Sequence, residues 1–249
     1  MVLNITVVGA TGQIGRQVVD LLTAAGHRVT AASRASGVDV ALGTGLHDAL
    51  KYADVVVDVL NSPTMDDDAA LAFFTETSAN LSLAAKGAGV GHYVLLSIVG
   101  VDTVEGGGYL RGKVVQEETV AASGVPYTII RAAQFHELTE TIVGSLTVDG
   151  QVRAPDAKIQ PTLAAEVATV IARIAAAPAI NGIHDVAGPE SMSFADMAAL
   201  VLGARREEMP IVVDPAATYF GTPITETSLI PAPDSERTAT RLSDWLASK

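Results

Sequence analysis

Tyr109 and Lys113 stand four residues apart at the start of a stretch that predicts a helix running to about Ala122. Side chains at that spacing leave the same helix face. Ser97 closes the preceding apolar run, His92–Ser97, which predicts a strand. A phenol, an ammonium and a hydroxyl brought together can hold and protonate an oxygen. The ammonium stabilises a phenolate and should draw the tyrosine pKa down from about 10. The phenol can then give its proton to a carbonyl oxygen while hydride reaches the carbon, and the serine hydroxyl can hold that same oxygen. A tyrosine and a lysine at this spacing also occur as an ordinary surface pair, so the meaning of the set depends on the scaffold that carries it.

That scaffold is announced near the start of the chain. Gly9-Ala10-Thr11-Gly12-Gln13-Ile14-Gly15 lies between an apolar run, Leu3–Val8, that predicts a buried strand and a stretch, Arg16–Leu22, with helical apolar spacing. Glycines at a strand-to-helix turn are what a dinucleotide-binding loop requires. Gly9 permits the tight turn, Gly12 lets backbone N–H groups approach a pyrophosphate, and Gly15 lets the helix pack closely on the strand. The helix N-terminus then presents free amides and a positive dipole end to the anion. After Gly26, a second strand over His27–Ser33 ends at Arg34. An acid about 20 residues past the glycines would hold the ribose 2′-OH of NAD; a guanidinium suits the 2′-phosphate of NADP. Arg34, with Ser33 and Ser36 as hydroxyl donors, favours NADP over NAD, and Asp39 is the rival acid.

The remaining punctuation predicts alternating elements. Val38–Val40 suggests a short third strand, Leu46–Tyr52 a short helix, and Asp54–Leu60 a buried strand that delivers Asn61 at its carboxyl end. Asp66-Asp67-Asp68 opens a helix to about Lys86, where acids favour the helix dipole. A glycine-rich loop spans Ile98–Gly108, and Tyr127–Arg131 forms the next strand. This alternation predicts an α/β fold with a doubly wound parallel sheet. It divides into a dinucleotide-binding core, residues 1–131, and a small substrate lobe, residues 132–249, packed as one compact unit. In the lobe, helices are expected over Phe135–Leu146, Leu163–Ala176 and Phe194–Leu202 with Ser193 as cap, and a strand over Ile183–Val186. Residues 210–233 hold five prolines and predict loop. Gln134, Phe135 and His136 follow a carboxyl strand end and are the candidate substrate contacts. His136 could serve as a second acid, although a lone histidine is commonly structural. Tyr219 and Phe220 could form an apolar wall or simply pack on the core.

Composition narrows the field. The 249 residues contain no cysteine, which excludes disulfides and thiol catalysis and suits a reducing cytoplasm. Five histidines show no metal-ligand spacing with acids, so no metal site is expected. A formal net charge of −12 disfavours nucleic acid as partner. No apolar run is long enough for a membrane span, and the first residues lead directly into a strand without a basic leader. The expected partner is a small molecule, with a homodimer left open.

The glycine turn, Leu95-Leu96-Ser97-Ile98-Val99-Gly100-Val101-Asp102, Tyr109-x-x-x-Lys113, Arg131-Ala132-Ala133-Gln134-Phe135-His136 and Val186-Ala187-Gly188-Pro189-Glu190 together resemble the atypical short-chain dehydrogenase/reductase group, in its NmrA-like, NAD(P)H-binding branch. The resemblance covers most of the chain. It implies a seven-stranded Rossmann sheet with Gly9, Thr11, Gly12, Gln13, Ile14 and Gly15 at the pyrophosphate and Arg34 at the 2′-phosphate. It further implies Asn61 near the nicotinamide ribose, Lys113 bridging ribose and tyrosine, and Ala132 and Ala133 lining the nicotinamide. Gly43-Thr44 stand where members often carry an adenine-contacting Asp, and Ala132 where proline is common in the wider superfamily. The implied activity is NADPH-dependent reduction of a carbonyl or quinone in a small apolar substrate, with Tyr109 as proton donor and Ser97 as oxyanion holder. Some members of the branch bind dinucleotide as redox sensors without turnover, which is the alternative. A nucleotide-sugar epimerase or dehydratase ranks third.

Overall fold

The computed structural model describes residues 1–103 and 106–249. Val104 and Glu105, inside the loop expected over Ile98–Gly108, lie outside the described residues. In chain order the first elements are β1 (Asn4–Val8), α1 (Gln13–Ala24), β2 (Arg28–Ala32), α2 (Leu46–Leu50), β3 (Val55–Asp58), α3 (Asp67–Ala88), β4 (His92–Ile98), α4 (Gly108–Ala122) and β5 (Tyr127–Ala132). There follow α5 (Thr139–Leu146), β6 (Thr147–Val148), β7 (Gln151–Ala154), β8 (Lys158–Ile159), α6 (Ala164–Ala175), β9 (Gly182–Ala187), β10 (Met192–Ser193), α7 (Phe194–Arg205), β11 (Ile211–Val213), β12 (Glu236–Arg237) and α8 (Leu242–Ala247).

The central sheet is parallel, seven-stranded and ordered β12-β9-β5-β4-β3-β1-β2. It is the α/β, doubly wound arrangement expected from the alternation of elements. Its inner strands are runs of valine, isoleucine and leucine buried on both faces, as a sheet covered by helices demands. The chain begins at β1, steps to the edge strand β2, then crosses to β3 on the other side of β1. Strand order therefore reverses between β1 and β3, the place where open α/β sheets accept ligands beyond their carboxyl ends. The register aligns those ends: Val8 pairs with Ala32 and with Asp58, and Asp58 pairs with Leu95. The residues that come next, Gly9, Ser33 and Val59, thus emerge along one sheet edge, with Ser97 two residues past Leu95 near the end of β4.

The chain forms two compact units. The first comprises Met1–Ser97, Gly108–Arg131 and Val167–His184; the second comprises Ile98–Gly107, Ala132–Glu166 and Asp185–Lys249. Neither is one continuous stretch, whereas the sequence expectation cut the chain once, after Arg131. The difference has a physical cause. Most of α6 is the crossover helix between neighbouring parallel strands β5 and β9, so it belongs with the sheet although it lies late in the chain. In the second unit α7 supplies Phe194, Met197 and Val201 to a core that also holds Ile142, Val152 and Ile159. The strand expected over Val38–Val40 is instead a buried turn: Asp39 N–H donates to Thr44 O at 2.9 Å and Gly43 N–H to Val40 O at 3.2 Å. Gly37, Gly43 and Gly45 around it have φ of 82°, 70° and 74°, a left-handed backbone that no ladder accommodates. Within the proline-rich stretch, Ile211–Val213 pairs in parallel with β7.

Candidate active site

The glycine turn is held by close backbone approaches that its glycines permit. Gly9 has φ of 84°, and a Cβ there would stand 2.9 Å from the Val59 carbonyl oxygen, which links the loops after β1 and β3. A Cβ on Gly15 would lie 2.2 Å from Gly9 O, so α1 can approach the turn only with glycine at that position. Gly12 N–H donates to Gly9 O at 3.0 Å and closes the turn. Gly12 is also the N-cap of α1 and offers no capping side chain, so the first amides of the helix, at Gln13, Ile14 and Gly15, are left to an outside acceptor. This cradle of free helix-terminal amides fits a dinucleotide pyrophosphate; Gly9, Gly12 and the amides of Gln13, Ile14 and Gly15 are the groups that would hold it. Thr11 is exposed at the tip.

Beyond β2, Arg34 is exposed and opens a short 3₁₀ turn, Arg34–Ser36. The Ser36 hydroxyl is engaged in that turn, accepting from Ser33 N–H at 2.9 Å and donating to Ala31 O or Ser33 O. The rival acid, Asp39, is occupied locally: its carboxylate accepts from Leu42 N–H at 3.2 Å. The Arg34 guanidinium is thus exposed just beyond β2, while the nearby Ser36 hydroxyl and Asp39 carboxylate are engaged in local turns.

Ser97 is 3 % exposed, one residue before the end of β4, and its Oγ has no hydrogen-bond partner. An unpaired buried hydroxyl costs about 1–3 kcal/mol. Tyr109 is half-buried on the first turn of α4. Its hydroxyl donates to Asn61 Oδ1 at 2.7 Å and its ring meets Phe74 edge-on, centroids 5.3 Å apart. Two contacts from α3 fix this helix. Asp67 Oδ1 accepts from Gly108 N–H at 2.6 Å, and a Cβ on Gly112 would lie 2.8 Å from the Phe74 ring.

Lys113 departs from expectation. It is 3 % exposed and its ammonium turns inward, donating to Leu96 O at 2.7 Å and to Gln116 Oε1 at 2.5 Å, over the Phe74 ring at 5.1 Å. Burial lowers its pKa to about 8 against the pull of Asp58 and Glu117. Tyr109 shifts opposite to the expected direction: burial raises its phenol to about 12, with the Asn61 hydrogen bond opposing. The physical reason is that four-residue spacing shares a helix face without fixing where a long flexible stem ends, and here the stem follows the buried side of α4, with Gly112, Gln116 and Glu117, toward the sheet. Sequence reasoning also missed Phe74, Asp67, Asp58 and Gln116. Asp58 carried a signal, an acid inside the apolar run Asp54–Leu60, because a buried carboxylate needs donors.

In the second unit, Ala133 N–H donates to Val186 O at 2.8 Å, and Ala133 packs with Val99 and Ala187; Ala132 closes β5. Both amide atoms of Gln134 are buried and unpaired. Phe135 bridges to Thr162. His136 is fully buried, its Nε2 3.2 Å from Pro161 O and its ring 5.6 Å from that of Trp245; burial lowers its pKa. Tyr219 stacks edge-on with Phe194 and Phe220, a packing role. Among the described residues, no cluster of three or more histidines and acids could hold a metal, and no helix is long and apolar enough to cross a membrane.

Comparisons with known proteins agree with this geometry. A family profile described as NAD(P)H-binding matches residues 9–178. A (4-alkanoyl-5-oxo-2,5-dihydrofuran-3-yl)methyl phosphate reductase of Streptomyces griseus is 31% identical over 266 residues, covering 96% of this chain and 89% of the relative. Among solved structures, a dTDP-4-dehydrorhamnose reductase from Bacillus anthracis in complex with NADP superposes with a TM-score of 0.76 at 14% identity, over 100% of this chain and 97% of that one. An NADPH-dependent quinone oxidoreductase from Escherichia coli superposes at 0.66 and 18% identity, over 98% of each chain. A glycine turn at a topological switch point, a matching profile over most of the chain and a relative aligned nearly end to end lead to one conclusion: the chain belongs to the NAD(P)H-binding family of Rossmann-fold reductases.

Proposed function

We propose that the protein is an NADPH-dependent reductase of a small, largely apolar substrate bearing a carbonyl or quinone group. The observation that carries the reading is the Ser97 hydroxyl, buried and unpaired near the carboxyl end of β4, in the same unit as the glycine cradle. The reductase from Streptomyces griseus, whose named substrate carries an alkanoyl and a ring oxo group, supports it by relatedness. The reduced dinucleotide, when bound, supplies the hydride. The chain's own residues supply the rest. Arg34 pairs with the 2′-phosphate, and Ser97 Oγ donates a hydrogen bond to the acceptor oxygen as negative charge develops on it. Tyr109, with a pKa of about 12, remains a neutral phenol at ordinary pH. It is still a far stronger acid than an alcohol, so it can pass its proton to an alkoxide and recover it from solvent. Lys113 contributes a buried positive charge beside Leu96 and Ser97, not a contact to the phenol.

The test is NADPH oxidation by the pure protein across a panel of quinones and ketones, with Ser97→Ala alongside. Turnover in the wild type and a fall in kcat of roughly 10²-fold in the variant, with NADPH affinity retained, is the expected result. Saturable NADPH binding without turnover on any acceptor would favour the sensor reading instead.

A further inference from the structure

Behind Lys113 lies a closed polar network that the reaction as described does not use. Asp58, at the end of β3, is 1 % exposed. Its Oδ1 accepts from Leu60 N–H at 3.0 Å, and its Oδ2 accepts from Tyr93 Oη–H at 2.8 Å and from Gln116 Nε2 at 3.0 Å. The other end of the Gln116 amide, Oε1, accepts from Lys113. Burial pushes the Asp58 carboxyl up from the ordinary carboxylate range, but every hydrogen bond to it comes from a donor, and these together with the Lys113 charge favour the carboxylate. The amide between the two charges can face only one way. Turned over, it would set its N–H₂ against the ammonium and its oxygen against the carboxylate. Residues 58 and 116 come from different elements, and neither side chain touches solvent.

A buried ammonium is costly unless paired and hydrogen-bonded. The charged groups around this one are Asp58 from β3 and Glu117 from its own helix, with Tyr93 from β4 as a further titratable neighbour of Asp58. Glu117 is spoken for: Arg131 of β5 holds both of its oxygens, at 3.0 and 2.6 Å. From α3 the neighbour is the uncharged face of Phe74. Of these two carboxylates, Asp58 is therefore the one not held by an arginine, and it reaches Lys113 through Gln116.

We propose that Asp58 and Gln116 are positioning residues, a carboxylate–amide relay that keeps Lys113 protonated and aimed along the Leu96 carbonyl beside Ser97. The inference rests on the reading of Lys113 as part of a reductase site, and its test separates the two. The chain has five lysines, and the other four, Lys51, Lys86, Lys158 and Lys249, are exposed. In protein labelled with ¹³C at the lysine ε-carbon, the Lys113 signal, identified by its loss in Lys113→Met, can be titrated directly.

The wild-type midpoint should lie near 8, consistent with the environment of the ammonium. Asp58→Asn keeps the shape but removes the countercharge. It should lower the midpoint by about one pH unit or more, and the high-pH limb of kcat should move down with it. Gln116→Met keeps volume and Asp58 but removes the bridge, and should give a smaller shift in the same direction; it serves if Asp58→Asn does not fold. A Lys113 midpoint unchanged in the folded variants would overturn the relay. A midpoint that moves while the kcat profile stays fixed would uphold the relay and remove Lys113 from the proposed reaction.

Discussion

At the scale of single residues, the decisive contrast is between Tyr109 and Lys113. They share a helix face, yet one hydroxyl points to Asn61 and the ammonium points into the sheet. The phenol is held up at about 12 by burial. A proton donor of that kind works by hydrogen bonding and late transfer, and its loss should be visible in kcat alone. Tyr109→Phe is therefore expected to lower kcat by 10²-fold or more, with the NADPH dissociation constant unchanged within twofold, measured by steady-state kinetics and fluorescence titration. An unchanged kcat on an identified acceptor would remove Tyr109 as donor. The spacing of these two residues was legible in the sequence because it depends only on helix geometry. The destination of the lysine was not, because its partner Asp58 lies far away in the chain and meets it only through the packing of β3, β4 and α4.

At the scale of elements, the seam between α3 and α4 places the tyrosine. The acidic triplet lies at the start of α3 as expected, and Asp66 additionally caps the helix by accepting from Ala69 N–H at 3.0 Å. Asp67 reaches across to the first amide of α4. Asp67→Ala should cost about 1 kcal/mol of stability, the ordinary worth of such a cap, and should lower kcat more than it weakens NADPH binding, because α4 carries Tyr109 but not the glycine turn. Urea denaturation and the kcat-to-Kd comparison check this. A loss of NADPH affinity with kcat intact would show that the seam serves the cofactor instead. Most of the elements in the first unit follow from local pattern: apolar strands, glycine turns and helical spacing. Those that escaped are short or unpatterned. Glu236–Arg237 offers two charged residues and no alternation, and it becomes the seventh strand only because Val186 and Ala187 present a free parallel edge. Val38–Val40 alternates like a strand, but the glycines around it adopt left-handed backbone and fold it into a turn.

For the whole molecule, burial of titratable groups sets the response to acid. Burial lowers the pKa of His92 and His136 below the ordinary 6.5. The unfolded chain thus takes up these protons first, so the contribution is present above pH 6.5 and is lost as pH falls from there through the folded-state values. The urea midpoint should drop between pH 7 and 5, and His136→Gln should flatten that slope; a slope identical to the wild type would mean that His136 is not a source of the acid sensitivity. Fold class was legible because α/β alternation is a property of the entire chain. The division into units was not, since α6 returns to the sheet after an excursion through the second unit.

The account stands on the glycine cradle and its guanidinium as a site for a phosphorylated dinucleotide. Its most direct test is calorimetric titration of the pure protein with NADPH and NADH, repeated with Gly15→Val and Arg34→Ala. The account predicts saturable NADPH binding, abolished by Gly15→Val in a folded protein. Arg34→Ala should weaken it by about 10- to 100-fold, the worth of a lost charge-assisted contact, while NADH affinity changes little. Equal NADPH affinity in the wild type and in a folded Gly15→Val protein, or no saturable signal with either dinucleotide, would contradict it.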